Sequence, residues 1–435
     1  MDIRQFLACA LLSAVSQAHC AESLIVHEWG TFTSVQGADG VQQHWKPLIA
    51  ADLPDFVYSS ATRNGGFANV VLVDQTRKDQ TVGVLRMETP VIYFYSDREL
   101  DVDVRVSFPT GRITEWYPQA DSIGPYSVAV DGYTRFDRRS IIEWKGVRIL
   151  GPASNAISAD ELIRDREDAH ARHYYAARAT DANLLRTQSP HARSKAEYER
   201  DLFYRGIGYQ SAPLKVKVSA DDSSLALASE EPVPAAFVLT IRKDMMRFHE
   251  LGSLTPGAER LVQLDVEPFD AAINVQGRVM KEMVATLISQ GLFPKEALAM
   301  VETWKDQWFE EEGTRVLYVL PAAWTDRMLP LDIEPRPDTI VRVMIGRAEI
   351  VMPSISRQLH RDIVAFDSAN AHEQQRIVAS VRKLNLGRFV LPAIEMASIT
   401  PDGHRFMDAA SRLSSALNKP AAPKIAASVA VEAGP

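Results

Sequence analysis

The sequence predicts an α+β fold: a β-sandwich-like core with a helical insertion, followed by a C-terminal α/β segment. Three observations predict it. Residues 24–150 and 210–268 read as short β-branched and aromatic runs broken by turns. Residues 158–205 interrupt them with helical signals, and residues 269–418 mix helical runs with strands. The expected organisation is therefore a signal peptide at 1–18, a β-rich domain at 19–268 with its insertion at 158–205, an α/β segment with a helical hairpin at 269–418, and a disordered tail at 419–435.

The N-terminus reads as an export signal. Met1 and Arg4 precede an apolar run from Phe6 to Val15, and Ser16 and Ala18 supply the small residues before a cleavage site after Ala18. The run is too short for a bilayer, which takes about 20 residues. A Sec-type signal of this kind sends the mature chain to the periplasm or beyond the cell. Cleavage removes Cys9 and leaves Cys20 alone among the cysteines, so no internal disulfide is expected and the core must hold the fold.

Leu100 to Phe108 is the clearest strand. Leu100, Val102, Val104, Val106 and Phe108 share one face, and Asp101, Asp103, Arg105 and Ser107 the other. Pro109-Thr110-Gly111 turns the chain into a returning strand from Arg112 to Tyr117. Val91 to Tyr95 and Ile141 to Ile149 add further strands. In the insertion, Ser158-Ala-Asp-Glu161 is a capping box opening a helix to about Ala179. A short second helix is expected from Ser194 to Arg205, stopped by Gly206. Strands return at Leu214 to Val218 and Ala236 to Ile241.

Residues 276–312 predict a helical hairpin. Val279, Met283, Val284 and Leu287 fall at helical spacing before Gly291; after Pro294, Leu298, Val301, Trp304 and Trp308 line one face. Strands follow at Thr314 to Leu320 and Thr339 to Met352. In the latter the alternation changes parity, which predicts a bulge or tight turn at Gly346. Asn370 and Glu373 cap a helix to about Leu386, and Thr400-Pro401-Asp402 opens a last one.

Composition narrows function. A net charge of −8 and no Lys/Arg cluster exclude nucleic acid as the main partner. There is no Gly-x-Ser-x-Gly elbow, phosphate-binding glycine loop, Cys-x-x-Cys pair or calcium loop, so no cofactor and no metal is expected.

The most unusual string is His27-Glu-Trp-Gly-Thr-Phe32. On a strand, Ile25, His27 and Trp29 face one side and Glu28 the other, so His27 and Glu28 do not converge on one ligand. Glu-Trp recurs at 28–29, 115–116 and 143–144. Aromatic platforms beside acids suit glycans, and paired carboxylates can hydrolyse glycosidic bonds. Strand geometry favours the plainer arrangement of Trp inward and Glu outward. Glu115 is the exception, because it alternates with Ile113 and Tyr117; it is the leading catalytic candidate, with His27 or His170 assisting. Glu167, His170 and His173 are spaced by three, but the direction drifts by about 120° over six helical residues, so one helix supplies two ligands at most. His170, His173 and Arg178, with Trp29, are the candidate binding residues.

His27 to Thr33, Met87-Glu-Thr-Pro-Val-Ile-Tyr-Phe94 and Gly313-Thr-Arg-Val-Leu-Tyr318 resemble strings of exported bacterial proteins that carry the His-Glu-Trp-Gly-Thr-Phe motif and have no assigned activity. The resemblance implies export and a single multi-segment fold. It implies no function and no site residue.

Two classes of function fit these residues. The first is a non-catalytic exported module that binds a glycan, peptide or envelope partner, or serves in assembly. The second is a hydrolase with glycosidase-like acid/base chemistry from dispersed carboxylates and histidines.

Overall fold

The computed structural model describes residues 23–48, 53–59, 82–124, 128–130, 133–135, 139–151, 171–399 and 406–418. The signal sequence, the Ser158–Glu161 capping box, Glu167, His170, the Thr400–Asp402 helix start and the tail from 419 lie outside them.

Runs rich in Val, Ile, Thr and aromatic residues build a ten-stranded sheet. Its strands are β1 (Leu24–Gln36), β2 (Tyr58–Ser59), β3 (Leu85–Ser96), β4 (Gly111–Tyr117), β5 (Leu202–Gly208), β6 (Val233–Arg242), β7 (Met245–Leu254), β8 (Asp270–Ala271), β9 (Gly313–Val319) and β10 (Thr339–Ile350). They lie in the order β8-β7-β6-β9-β10-β1-β3-β5-β4-β2, so strands from either side of residue 269 share one sheet. β1 is central. It runs parallel to β10, from Ile25 opposite Thr339 to Gln36 opposite Ile350, and antiparallel to β3.

A six-stranded sheet has strands Leu100–Phe108 and Ser140–Ile149 at its middle, and a three-stranded sheet is built from Leu214–Val218, Ser224–Ser229 and Glu259–Gln263. Strand 100–108 alternates as its sequence requires: Val102, Val104, Val106 and Phe108 are buried, while Asp101, Asp103 and Arg105 are exposed. The fold is mixed α+β with several β-sheets, and among the described residues no sheet closes into a sandwich or barrel.

Both faces of the large sheet are covered. On one, Val26, Phe32, Ile113 and Trp116 join Val104, Ile142 and Trp144 of the six-stranded sheet. On the other, Trp29, Tyr93 and Phe203 pack with helices α1 (Arg172–Ala176), α2 (Ala272–Ser289) and α3 (Pro294–Phe309). The α2–α3 hairpin matches its periodicity, except that Leu298 is 50% exposed and Ala297 and Met300 take the buried face beside Trp304 and Trp308. A short α4 (Ala322–Met328) adds Trp324 to the first core. Helices α5 (Pro353–Ser368), α6 (Ala371–Lys383), α7 (Val390–Ala397) and α8 (Met407–Leu417) enclose a third core with Val35 and Trp45. α6 is capped as its sequence indicates: Asn370 accepts the amides of His372 and Glu373, and Glu373 accepts that of Asn370 at 3.0 Å.

Two expectations are corrected. The segment 194–205 is not a helix; Glu197–Glu199 pairs with Leu185–Thr187, and β5 starts at Leu202. Tertiary partners decide this, since Glu197 and Glu199 are buried against Tyr58 and Arg178. Nor does β10 bulge at Gly346: its register with β1 is unbroken. The parity change reflects burial on both faces. Gly346 instead makes room for Tyr318, whose ring a Cβ there would meet at 2.3 Å.

The real irregularities lie elsewhere. Register shifts fall at Trp29/Thr31 between β1 and β3, at Phe203/Gly206 between β5 and β3, and at Arg205/Gly206 between β5 and β4. At the first, Gly30 lies against Pro90, where a Cβ would come within 2.8 Å of the proline Cα, and Thr89 takes φ +48°. The two conspicuous strings at 27–33 and 87–94 are thus partners in one bulged strand pair.

Candidate functional site

The bulges redirect side chains. On β4, Arg205 faces Glu115 and Gly206 faces Ile113, so Thr114 is the extra residue. Ile113 and Trp116 consequently share one core, and Glu115 does not simply alternate with Ile113. Glu115 is buried, and its Oε2 accepts Arg205 Nε at 3.1 Å as well as the Thr114 hydroxyl.

His27, also buried, shares a 2.6 Å bond between Nδ1 and Glu296 Oε2. The same oxygen accepts the Phe293 amide at 2.9 Å, so it caps α3 while holding the imidazole. His27 and Glu115 do not meet. They lie three strands apart, about 14 Å across the sheet at 4.8 Å per strand.

Glu28 is buried too, accepting Arg342 Nε at 2.6 Å and the Tyr204 hydroxyl. The outward-Glu arrangement therefore fails at 28, because both faces of this sheet are interior; Glu115, its stated exception, is buried as well. The arrangement holds at 143, where Trp144 is buried and Glu143 is half-buried beside Arg105 and Ser122.

The binding candidates form a looser chain. Trp29 stacks on Tyr93 at 5.7 Å, and the Tyr93 hydroxyl donates to the Ala177 carbonyl at 2.6 Å, next to Arg178. Arg178 Nε reaches both Glu199 oxygens at 2.9 and 3.0 Å and sits over Tyr175, Tyr174 and Phe56. His173 lies parallel to Trp304 at 6.3 Å. Beside Glu199, burial and the Glu199 charge hold Asp201 protonated well above the usual carboxylate range, against the pull of Arg178.

A second charged cluster carried no motif. Arg347 donates to Glu349 at 2.8 Å and Glu311 at 2.6 Å; Arg388 donates to Glu88 at 2.9 Å and to Gln307 at 2.8 Å. Arg315 binds four carbonyls at the end of α3 and lies 3.2 Å from Glu349. Burial alone would raise Glu88 and Glu311, but the arginines outweigh it; Glu88 is lowered and Glu311 falls to about 2. Burial lowers Arg315 to about 10. The available signal was a charged pair, Arg-x-Glu, within apolar strands at 86–88 and 347–349.

This cluster backs a cavity of about 470 Å³ where β6, β9 and β10 end against the turn after α6. Ile241, Val351 and Phe389 supply apolar lining, Glu349 closes the rear, and Lys243 and Lys383 stand exposed at its edge.

No protein-family model matches this sequence, and no curated protein matches it. Among the described residues no group of three or more His, Cys, Asp or Glu could hold a metal ion, and no helix is long and apolar enough to cross a membrane.

Proposed function

We propose that this chain is a non-catalytic binding or assembly module, exported by its N-terminal signal and addressing a glycan, peptide or envelope component. One observation carries the reading: the acid best placed for catalysis, Glu115, is buried on Arg205 at 3.1 Å with Thr114 on the same oxygen. A general acid or base needs an accessible lone pair or proton, and this carboxylate spends its capacity inside the protein. Glu28, Glu199 and Glu349 are engaged by arginines in the same way, and His27 by Glu296. In this reading the large and six-stranded sheets, which share one core, serve as a β-sandwich-like scaffold.

The hydrolase reading draws support from a different pair. Asp201, which burial and then the neighbouring Glu199 push well above the usual carboxylate range, is the kind of proton-holding carboxyl that a general acid needs. Its obstacle is that Glu199 is already bound by Arg178 and by Tyr174 at 3.1 Å.

The test uses the purified full chain. It should be retained on isolated cell-envelope material in sedimentation and should turn over no glycoside or ester panel above buffer. Turnover that disappears in Asp201→Asn or Glu115→Gln, with cooperative melting intact, overturns the non-catalytic reading.

A further inference from the structure

We propose that the cavity at the ends of β6, β9 and β10 binds an amphipathic carboxylate, an apolar chain carrying one anionic head. The inference rests on the binding reading above and gives it a site and a ligand class. Its volume of about 470 Å³ falls within the range of ligand-sized clefts, about 300–1,000 Å³.

The polarity of the lining is divided by depth. Ile241, Ile350, Val351 and Phe389 are buried residues that present apolar surface to the cavity. The two polar side chains among them, Thr240 and Thr314, face each other with hydroxyls 3.3 Å apart, and Glu349 is neutralised from behind by Arg315 and Arg347. The one charged group in the buried lining, Glu349, is already paired with arginines, so the interior offers a ligand little to bind by charge or hydrogen bond, which suits a hydrocarbon body.

The rim is different. Arg242, Lys243 and Lys383 stand there against the single carboxylate of Glu312, which accepts Asn385 Nδ2 at 2.9 Å. Arg242 lies over Phe269 at 5.3 Å, and among the described residues neither Lys243 nor Lys383 has an ion-pair partner. Surplus positive charge above an apolar floor selects an anion whose head stays at the mouth. One head is enough, because the cations of the lining, Arg242, Lys243 and Lys383, are all exposed and none lies in its buried part.

Calorimetric titration of the full chain with laurate, dodecanol and dodecyltrimethylammonium, each below its micellar concentration, tests this. Laurate should bind once per chain and at least tenfold more tightly than dodecanol, and the ammonium should not bind. Lys243→Glu with Lys383→Glu, both exposed, should weaken laurate at least tenfold and leave dodecanol unchanged. Leu386→Trp should exclude both by filling the cavity. A photoreactive laurate analogue on the wild-type chain gives a readout independent of any variant's folding, and should label peptides containing residues 240–243 or 383–389. Absence of laurate binding, binding indifferent to the lysine changes, or labelling elsewhere overturns the inference. Envelope retention without laurate binding would remove this ligand class and leave the binding reading standing; substrate turnover would do the reverse.

Discussion

Glu88 and Arg388 are 300 positions apart in the chain and meet at 2.9 Å, Oε1 to Nη1, in a buried cluster of charges. Glu88 lies on β3 in the Met-Glu-Thr-Pro string, and Arg388 in the turn between α6 and α7. The pair ties the central sheet to the C-terminal helices.

Removing one member of a buried pair strands the other's charge in the interior. Glu88→Gln should therefore cost about 3–5 kcal/mol of unfolding free energy in urea titration. Arg388→Met added to that background should recover part of the loss. If the two single changes and the double change were strictly additive, Glu88 and Arg388 would not be coupled.

The same cluster sets an acid limb. Glu311 titrates at about 2 in the fold against its ordinary 4.5, and Glu88 is shifted in the same direction. A carboxylate lowered on folding stabilises fully above its unfolded value and loses that contribution as pH falls through the folded one. The contribution of these two carboxylates should thus be flat above about pH 4.5 and decline from there toward pH 2. Half-exposure of the Glu311 side chain makes its share sensitive to salt. In Glu311→Gln the decline should be shallower.

Asp201 should behave in the opposite sense. Burial and Glu199 raise its folded value, so its contribution is fullest below the unfolded value of 3.8 and is lost as pH rises through the folded one. Asp201→Asn keeps the shape and cannot ionise. It should be more stable than the wild type at alkaline pH, the gap closing as the medium is acidified. Melting temperatures across the range check this, and a gap independent of pH would assign the effect to something other than the carboxyl proton.

Gly346→Ala tests the packing of β10. Its new Cβ would meet the Tyr318 ring at 2.3 Å, in a strand paired on both sides. Overpacking of this kind costs about 1–3 kcal/mol. The loss should show as a lower melting temperature, and Tyr318→Leu should relieve it.

The elements with one buried face were legible in sequence. Strand 100–108 showed its alternation, and α3 and α6 showed Pro294 and Asn370 at their starts. Residues in the large sheet were harder, because burial on both faces erases the period that distinguishes inside from outside. That is why Glu28 was expected outside and Gly346 at a bulge. Glu115 was singled out as an unusual acid, yet its Arg205 partner stands 90 positions later on another strand, where no local spacing could indicate it. Nothing local to Arg178 points to Glu199, and no segment of the sequence contains the Arg347 cluster, whose members come from β3, α3, β9, β10 and the turn before α7.

The parallel pairing of β1 with β10 fixes an order of assembly. The Leu24 amide bonds to Asp338, 314 positions further on. At about 5–20 residues per second, a ribosome needs roughly 15–60 s to travel between them. For that interval the first strand of the sheet has one flank without its native neighbour, however completely the intervening segments have folded. An unpaired apolar edge at the centre of a sheet invites pairing with other chains. Premature release should therefore be most damaging for this protein when the nascent chain ends just short of residue 339, and truncations that spare β10 but remove α8 should aggregate far less than those that remove both.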